Sequence, residues 1–293
     1  MKIDFSLGIQ MAALMATAFV LVAEPARAQD ALPRISSLDH CSDQYALALA
    51  DRSQIASLSH RAIQDYSFYK SRAKGLPRTT GSIEEFLYVQ PDVVIRYWGG
   101  NASMRSYLKQ AGIKVVSART GLKTDDVFQN VAMFSKVFGR EKAGEEFIKV
   151  YKARLQKLQQ SSTGKLRAIY LSAGGPRAAA GTFGDEVIRL AGMRNAVADM
   201  GLKGWRTLPL EALIVDPPDV IIGAFFDSKA VHHSDWGLLR HPVVKRMFKD
   251  IPTIFVPGRL LACRAFTFVD AAEFVVDKLN AIKAAQQSRG KSS

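Results

Sequence analysis

The sequence predicts an α/β protein with two parallel-sheet lobes, and a stretch that occurs twice is the first reason. It runs from Ser82 to Ile95 and again, 127 residues later, from Pro209 to Ile222. In each copy a glutamate, Glu84 or Glu211, stands seven residues before a proline–aspartate pair that leads into a β-branched run. This pattern predicts an acid-started helix stopped by proline and then a strand buried on both faces, which is half of a parallel α/β unit. Two copies predict two similar lobes.

Strand and helix patterns alternate on both sides of a central helical region, which is the second reason. The first half predicts strands at 34–38, 54–58, 93–95 and 113–116, helices at 44–50 and 104–111, and a loop over 62–81. The second half predicts strands at 166–171 and 253–256, a helix at 186–191, a loop over 257–267, a helix at 268–285 and a frayed tail from 286. Alternation of this kind is typical of parallel sheets covered by helices.

The central region is the third reason. Helical patterns cover 125–138 and 141 to about 160, with a break at Gly139, and the second of them carries one apolar stripe against a polar remainder. Such a helix can lie along both lobes and join them stiffly. We therefore expect a first lobe at 29–139, an interdomain helix at 140–162 and a second lobe at 163–293.

Residues 1–28 have the pattern of a cleavable export signal. Lys2 precedes an apolar run at 9–23, and Ala26-Arg27-Ala28 forms a small-x-small cleavage site before Gln29. An N-terminal membrane anchor is the alternative, but the run is short for a bilayer span. We expect a periplasmic protein whose mature chain begins at Gln29.

The charge and the cysteines narrow the class further. The formal net charge is +13, and it stays there when the signal is removed, which favours an anionic ligand. Nothing resembles a nucleic-acid recognition motif, and an exported protein meets little nucleic acid. Cys41 and Cys263 lie in a compartment that permits disulfides, and the sequence leaves their pairing open. Two isolated cysteines do not make a metal-thiolate site on their own.

No catalytic or metal-binding signature is present in the sequence. It has no nucleophile elbow, phosphate loop, paired-histidine metal motif or dinucleotide fingerprint. The adjacent His232 and His233 fit a solvated loop better than a metal site. Asp39 and His40 suggest a hydrolase as an alternative, although neighbouring residues rarely orient each other as carboxylate and base. We expect no enzyme activity, no catalytic residues and no resident metal or cofactor.

Loops at the predicted strand ends carry aromatic and cationic side chains instead. Aromatic faces with planar cations suit a large, partly apolar, anionic ligand. The residues concerned are His60, Arg61, Arg78, Tyr97, Trp98, Trp205, Arg206, Arg259 and Arg264.

The run Tyr97-Trp98-Gly99-Gly100-Asn101-Ala102, with the Pro91-Asp92 strand before it, resembles the periplasmic substrate-binding proteins of ABC importers for cobalamin, ferric siderophores and haem, most closely the cobalamin binders. Further matches run over nearly the whole mature chain: the first strand and helix, both proline–aspartate strands, 192–195, Trp205 six residues before Glu211, and 271–272 in the last helix. The resemblance implies two α/β lobes bridged by one rigid helix, a ligand cleft between the lobes and little closure on binding.

The resemblance also implies roles for particular residues. Glu84 and Glu211 match the glutamates, one on each lobe, that dock into arginine pockets of the two permease subunits. Tyr97 and Trp205 match the aromatic walls of cobalamin binders, whereas Arg78 and 178–180 replace expected aromatics. More arginines and fewer aromatic faces shift the expected ligand toward a ferric siderophore, with cobalamin still open. His60 is the candidate axial ligand if the ligand is haem.

We therefore expect a monomeric, non-enzymatic binding protein that delivers a metal chelate, a ferric siderophore or cobalamin, to a permease dimer. The predicted ligand-binding residues are His60, Arg78, Tyr97, Trp98, Trp205, Arg206, Arg259 and Arg264. A haem binder of the same family, a secreted hydrolase and a partner-binding module are the alternatives.

Overall fold

Two β-sheets organise the computed structural model, which describes residues 32–97, 102–119, 124–160, 165–172, 175–206, 210–224 and 241–290. The first sheet is parallel throughout, with strand order β3-β2-β1-β4-β5. Its strands are β1 (Ile35–Ser37), β2 (Ile55–Ser59), β3 (Arg78–Thr79), β4 (Val93–Arg96) and β5 (Lys114–Ser117). The order reverses at β1, and in sheets of this kind ligands bind beside such a point, at the carboxyl ends of the strands.

Helices cover the first sheet. They are α1 (His40–Leu49), α2 (Lys70–Ala73), α3 (Ile83–Val89), α4 (Ala102–Gln110) and α5 (Thr124–Val137), with short 3-10 turns at Arg52–Gln54 and His60–Ile63. The interior of β4 is buried at each of its first three residues, as expected for a strand covered on both faces.

The second sheet has the order β10-β9-β6-β7, with β8 paired to β6. Its strands are β6 (Arg167–Ser172), β7 (Gly175–Pro176), β8 (Arg194–Asn195), β9 (Val220–Gly223) and β10 (Thr253–Phe255). All pairings are parallel except that of β7, which runs antiparallel to β6. The helices of this half are α7 (Phe183–Leu190), α8 (Ala196–Asp199), α9 (Leu210–Val215), α10 (Pro242–Asp250), α11 (Gly258–Leu261) and α12 (Thr267–Gly290).

The repeated stretch forms the same structure in both lobes. Each copy is a short helix, α3 or α9, followed by a strand, β4 or β9. The aspartate of each proline–aspartate pair accepts a hydrogen bond from a backbone N–H at the start of the neighbouring strand: Arg34 N to Asp92 Oδ2 and Arg167 N to Asp219 Oδ2, each 2.7 Å. This contact, which we call the aspartate latch, fixes the register at the start of the strand.

The helix α6 (Glu141–Gln160) follows α5 after a break at Gly139, which has a positive φ of 66°. α6 packs closely on α5 because Gly144 has no side chain; a Cβ there would lie 2.2 Å from Ser135 Oγ. At its other end Arg154 forms ion pairs with Asp270 and Glu273 of α12, at 2.7 and 2.5 Å. The expected helix therefore touches elements of both halves.

The two lobes share one apolar core. A single cluster of buried side chains contains residues of both sheets, from Ile35 and Val93 in the first to Ala168 and Val220 in the second. Phe266, which precedes α12, makes edge contacts with Tyr45 of α1 and with Tyr151 of α6. Accordingly, the residues from Leu32 onward form one compact unit.

The two-lobed α/β architecture is confirmed, and three local predictions are wrong. The predicted loop at 62–81 contains α2 and the edge strand β3, and the loop at 257–267 contains α11. The tail from Gln286 continues α12 to Gly290 instead of fraying. Elements of two to four residues lack a periodic pattern, so tertiary contacts define them. The boundaries of the lobes, at 139 and 163, stay predictions.

Candidate ligand cleft

Two direct links between the lobes lie at the carboxyl ends of the first sheet. Cys41, at the start of α1, forms a disulfide with Cys263, which lies in the segment between α11 and α12. Tyr97, directly after β4, donates a hydrogen bond from its hydroxyl to the backbone carbonyl of Arg264 at 2.7 Å. The loops after β1 and β4 therefore face the loop after β10, and the cleft between the lobes begins here.

The turn after β1 is fixed by Asp39. Its carboxylate accepts hydrogen bonds from the backbone N–H groups of Cys41 and Ser42, and Ser42 Oγ accepts one from Asp39 N, so the two residues form a capping box. The same carboxylate accepts a bond from Tyr97 N at 2.8 Å. Asp39 thus holds the loops after β1 and β4 together, a structural role that leaves the predicted Asp39–His40 hydrolase without support.

His40 lies against the disulfide. Its Nε2 is 3.5 Å from Cys41 Sγ, and its ring packs edge-on against Tyr66 with 5.3 Å between centroids. Burial lowers the pKa of His40, so the neutral imidazole is favoured. Ligand atoms of His40, Cys41 and Cys263 lie within 4.8 Å of one another, but the two sulfurs are bonded to each other and offer no thiolate to a metal.

Tyr97 is half-buried at the point where the two lobes meet. Burial raises its pKa to about 12, so the phenol stays protonated and donates to the Arg264 carbonyl. Its position between Asp39 and Arg264 joins a helix cap of one lobe to a loop of the other. Tyr97 and Arg264, two of the predicted ligand-binding residues, are thus in contact through the backbone carbonyl of Arg264.

Trp205 and Arg206 lie on the second lobe, on a segment that bridges to the chain after β7. The backbone of Trp205 pairs with Ala178, and its half-exposed ring lies 6.1 Å from the ring of Tyr170 on β6. Arg206 is exposed, and its backbone N–H donates to Arg177 O at 2.9 Å. An exposed indole supported by a buried tyrosine is available for stacking, so its assignment as a wall stays a prediction.

The remaining predicted residues lie on separate elements. His60 is exposed and begins the 3-10 turn after β2, Arg78 is exposed on the edge strand β3, and Arg259 is exposed on α11. Trp98 and the pair His232 and His233 lie outside the described residues. Like Trp205, the residues His60, Arg78, Trp98 and Arg259 stay predictions as ligand contacts, and the solvated loop expected at His232 and His233 stays a prediction too.

The two predicted docking glutamates are exposed, and Glu84 differs in this from its neighbour Glu85. Glu85 is committed to the fold, since its Oε2 accepts hydrogen bonds from Thr80 Oγ1 and N, which lower its pKa, and from Ser82 N in a capping box. Glu84, one residue earlier, is exposed, and within the described part of the chain neither Glu84 nor Glu211 has an ion-pair partner.

Sequence reasoning missed the role of Asp43. This buried aspartate of α1 accepts hydrogen bonds from Ser59 N and Ser59 Oγ at 2.9 and 2.6 Å and from the Ser37 hydroxyl, so it ties the ends of β1 and β2 together. Burial raises its pKa to about 7. Its spacing of four residues from the helix cap was the available signal, because it places Asp43 one turn into α1 on the sheet side.

The fold and the cleft define a two-lobed binding protein, and the sequence relationship agrees. Residues 35–247 match the family described as periplasmic binding protein. The chain belongs to that family.

Solved structures of the same fold cover most of the chain. The periplasmic haem-binding protein HutB of Vibrio cholerae is 18% identical with a TM-score of 0.71, covering 84% of this chain and 98% of that one. The haem-binding protein BhuT, solved with two haems, is 20% identical with a TM-score of 0.65 over 84% and 99%. The vitamin B12-binding protein BtuF of Vibrio cholerae is 24% identical with a TM-score of 0.60 over 86% and 98%.

A curated relative is similar over a shorter span. The uncharacterized ABC transporter substrate-binding lipoprotein YvrC of Bacillus subtilis (strain 168) is 23% identical over 152 residues, 48% of this chain and 48% of its own length. The chain therefore spans about half the length of this relative.

Proposed function

We propose that this protein is the substrate-binding component of an ABC importer, and that it captures an anionic metal chelate in the cleft between its lobes. The observation that carries the proposal is the meeting of the loops after β1, β4 and β10, joined by the Cys41–Cys263 disulfide and the Tyr97–Arg264 hydrogen bond. Membership of the periplasmic binding protein family supports it, and relatives of the same fold are named for haem and vitamin B12.

A ferric siderophore or cobalamin is the ligand we favour. The formal net charge of +13 and the exposed Arg78, Arg206 and Arg259 favour an anion, and the exposed indole of Trp205 supplies a flat apolar face. Binding requires no chemistry from the protein, and the capping role of Asp39 supports a protein that binds without turnover.

Ligand titration tests this proposal. Purified protein is titrated with cyanocobalamin, a ferric hydroxamate, a ferric catecholate and haemin, and the visible spectrum and native mass are followed. We expect one of them to bind in a one-to-one complex at micromolar concentration or below, and Arg206→Glu to weaken it about tenfold or more, since a buried anion loses its partner. Arg194→Glu, an exposed arginine change on β8, is the control. Absence of binding by all four ligands would refute the chelate proposal.

Haem is the second candidate ligand. His60 is exposed at the end of β2, where an imidazole can reach a ligand, and several relatives of the same fold are named as haem-binding proteins. A haem complex would give a Soret band that His60→Ala shifts and the distant His241→Asn leaves unchanged. A Soret band that is insensitive to His60→Ala would remove His60 from the site.

We also propose that Glu84 and Glu211 dock the protein on the two subunits of the permease. Their exposure and their matched positions on the two lobes support this role. Glu84→Arg and Glu211→Arg should each abolish uptake while ligand affinity stays within twofold of the wild type. The control, Glu145→Arg on α6, should change neither uptake nor ligand affinity. A loss of ligand affinity in the Glu84 or Glu211 variants would refute the docking role.

The location follows from the same role. We propose export through the signal at residues 1–28 and a free periplasmic protein, with membrane anchoring as the alternative because the curated relative is a lipoprotein. No helix within the described ranges is both long and apolar enough to cross a bilayer. Amino-terminal sequencing of the periplasmic protein should start at Gln29, whereas retention in the membrane fraction would favour an anchor.

A further inference from the structure

The two repeated helices expose the same three positions. On α3 these are Glu84, Leu87 and Tyr88, and 127 residues later the corresponding positions on α9 are Glu211, Ile214 and Val215. Residues at i, i+3 and i+4 lie on one face of a helix. Each helix therefore presents a carboxylate beside two apolar side chains, a group that we call the acid–apolar triplet.

The exposure of these apolar side chains is large. Tyr88 is 90% exposed and Leu87 43%, while Val215 is 85% exposed and Ile214 57%. Among the described residues ten large apolar side chains are exposed, and four of them belong to the two triplets. Contiguous exposed apolar side chains on a soluble protein mark an interaction surface, whereas single ones need no explanation.

Each of the two helices has a buried residue at the same position of the repeat. Phe86 and Leu213, the residues two positions after the glutamates, are fully buried and anchor their helices to the lobes. The strand after each helix is fixed by an aspartate latch at Asp92 or Asp219. The outward face of each helix is therefore the face that carries the glutamate and the apolar pair.

A cavity lies beside the second triplet. It measures about 320 Å³. Its apolar lining comes from Leu213, Ile214 and Pro217 of the repeat and from Val243, Met247 and Ile251 of α10 and its end, and the charged Arg246 and Asp250 of α10 complete it. This volume is enough for a large apolar side chain from another molecule. On the first lobe the most exposed side chain of the triplet is Tyr88.

We propose that each triplet is a composite docking site, in which the glutamate pairs with a basic side chain of a permease subunit and the apolar pair packs against apolar side chains beside it. On the second lobe an apolar side chain of the permease enters the cavity next to Ile214. This inference rests on the proposed function and adds an apolar contact to the docking by glutamate. The apolar contacts supply affinity, and the carboxylates supply orientation.

The charge of the triplets selects this partner over two others. Anionic lipid headgroups would repel Glu84 and Glu211 and would attract the many cations elsewhere on the chain, whose net charge is +13. A second copy of the chain, joined through the same surface, would place glutamate against glutamate. A two-fold partner with one basic and apolar surface per subunit matches two triplets on two lobes.

The test measures binding of labelled protein to right-side-out inner-membrane vesicles from the source bacterium, with and without the permease. The variants are Leu87→Ser with Tyr88→Ser, and Ile214→Ser with Val215→Ser. The matched control is Val150→Ser with Met200→Ser, which removes exposed apolar side chains elsewhere. We expect each triplet variant to weaken docking about tenfold or more and the control to change it less than about twofold, since contacts in an interface centre dominate binding. Ligand affinity and melting temperature serve as checks of the fold.

The outcomes separate this inference from the proposed function. Triplet variants that dock like the control, while Glu84→Gln and Glu211→Gln fail to dock, would overturn the apolar contact and leave the acid docking intact. Wild-type protein that does not distinguish vesicles with and without the permease would overturn both. Equal binding to protein-free liposomes, or a dimer that the serine substitutions dissociate, would also overturn the inference.

Discussion

The two lobes are alike on one side and different on the other. Away from the cleft they share a helix with an exposed glutamate, a buried anchor at Phe86 or Leu213, and an aspartate latch with the same 2.7 Å contact. At the carboxyl ends of their central strands they diverge. β1 runs into the capped start of α1, whereas β6 turns back into the antiparallel β7 before α7 begins at Phe183.

The difference teaches how one architecture can serve two partners. Under the proposed function a permease with two matching subunits meets one lobe with each subunit, and similar surfaces on the two lobes suit such a partner. A chelate has no such symmetry, and the two walls of a cleft are free to carry different side chains. In this molecule the first lobe places Tyr97 after β4, the second lobe places Trp205 and Arg206 after β8, and the Cys41–Cys263 disulfide joins the two lobes.

Removal of the disulfide should have the largest effect on stability, because this covalent bond joins the two lobes where they differ. Cys41→Ser with Cys263→Ser should lower the free energy of unfolding by about 2–4 kcal/mol, since the crosslink spans 222 residues and restricts the unfolded chain. Urea unfolding of the oxidised wild type and of the double variant measures the loss. A loss below about 0.5 kcal/mol would mean that the bond contributes little beyond the shared core.

The second expected effect is a pH dependence of stability that comes from Asp43, a buried group of the first lobe. Its pKa of about 7 in the folded protein lies above the ordinary value of an aspartate, so the unfolded chain loses the proton first as the pH rises. The free energy of unfolding should therefore fall as the pH rises from about 4 to about 7, because over this range the folded protein holds a proton that the unfolded chain has lost.

Asp43→Asn removes the titrating group and should flatten this part of the pH profile. Urea unfolding at pH 5 and pH 7 checks it. The control is Asp185→Asn, which also removes a buried aspartate but one on the second lobe, whose carboxylate pairs with Arg189 at 3.3 Å. A pH profile of Asp43→Asn that still falls like that of the wild type would contradict the assignment.

Removal of an aspartate latch should have the smallest effect on stability, and it tests whether the two copies of the repeat are equivalent. Asp92→Ala and Asp219→Ala each remove a carboxylate that accepts one backbone hydrogen bond at an exposed strand start. Each should cost about 1 kcal/mol in the free energy of unfolding, and the two costs should be close to equal. Asp216 also pairs with Arg167 in the second lobe, so a larger loss there would show that this ion pair depends on the latch.

The sequence was most informative where a pattern repeats. The repeated stretch and the apolar stripe of α6 have a clear hydrophobic pattern, and Gly139 marks the break before α6. The elements at these places were predicted closely. β7 and β3, with two residues each, were missed because they exist only through pairing with a neighbouring strand.

The cleft was less predictable than the fold. Asp39 could be interpreted as catalytic from its neighbour His40, whereas its spacing from Ser42 is that of a helix cap, a signal that sequence alone contains. The pairing of Cys41 with Cys263 depends on how the two lobes pack, which no local pattern reports. The ligand contacts of exposed arginines depend on the ligand, so they stay predictions.

The central claim, that the similar faces meet the permease and the dissimilar walls hold the chelate, is tested most directly by a separation of functions. Chelate affinity and cellular uptake are measured for Glu84→Arg with Glu211→Arg and for Tyr97→Ala with Arg206→Glu. We predict that the first variant binds the chelate like the wild type but supports no uptake, and that the second loses affinity about tenfold or more while it still docks. Loss of chelate affinity in the first variant, or unchanged affinity in the second, would contradict the account.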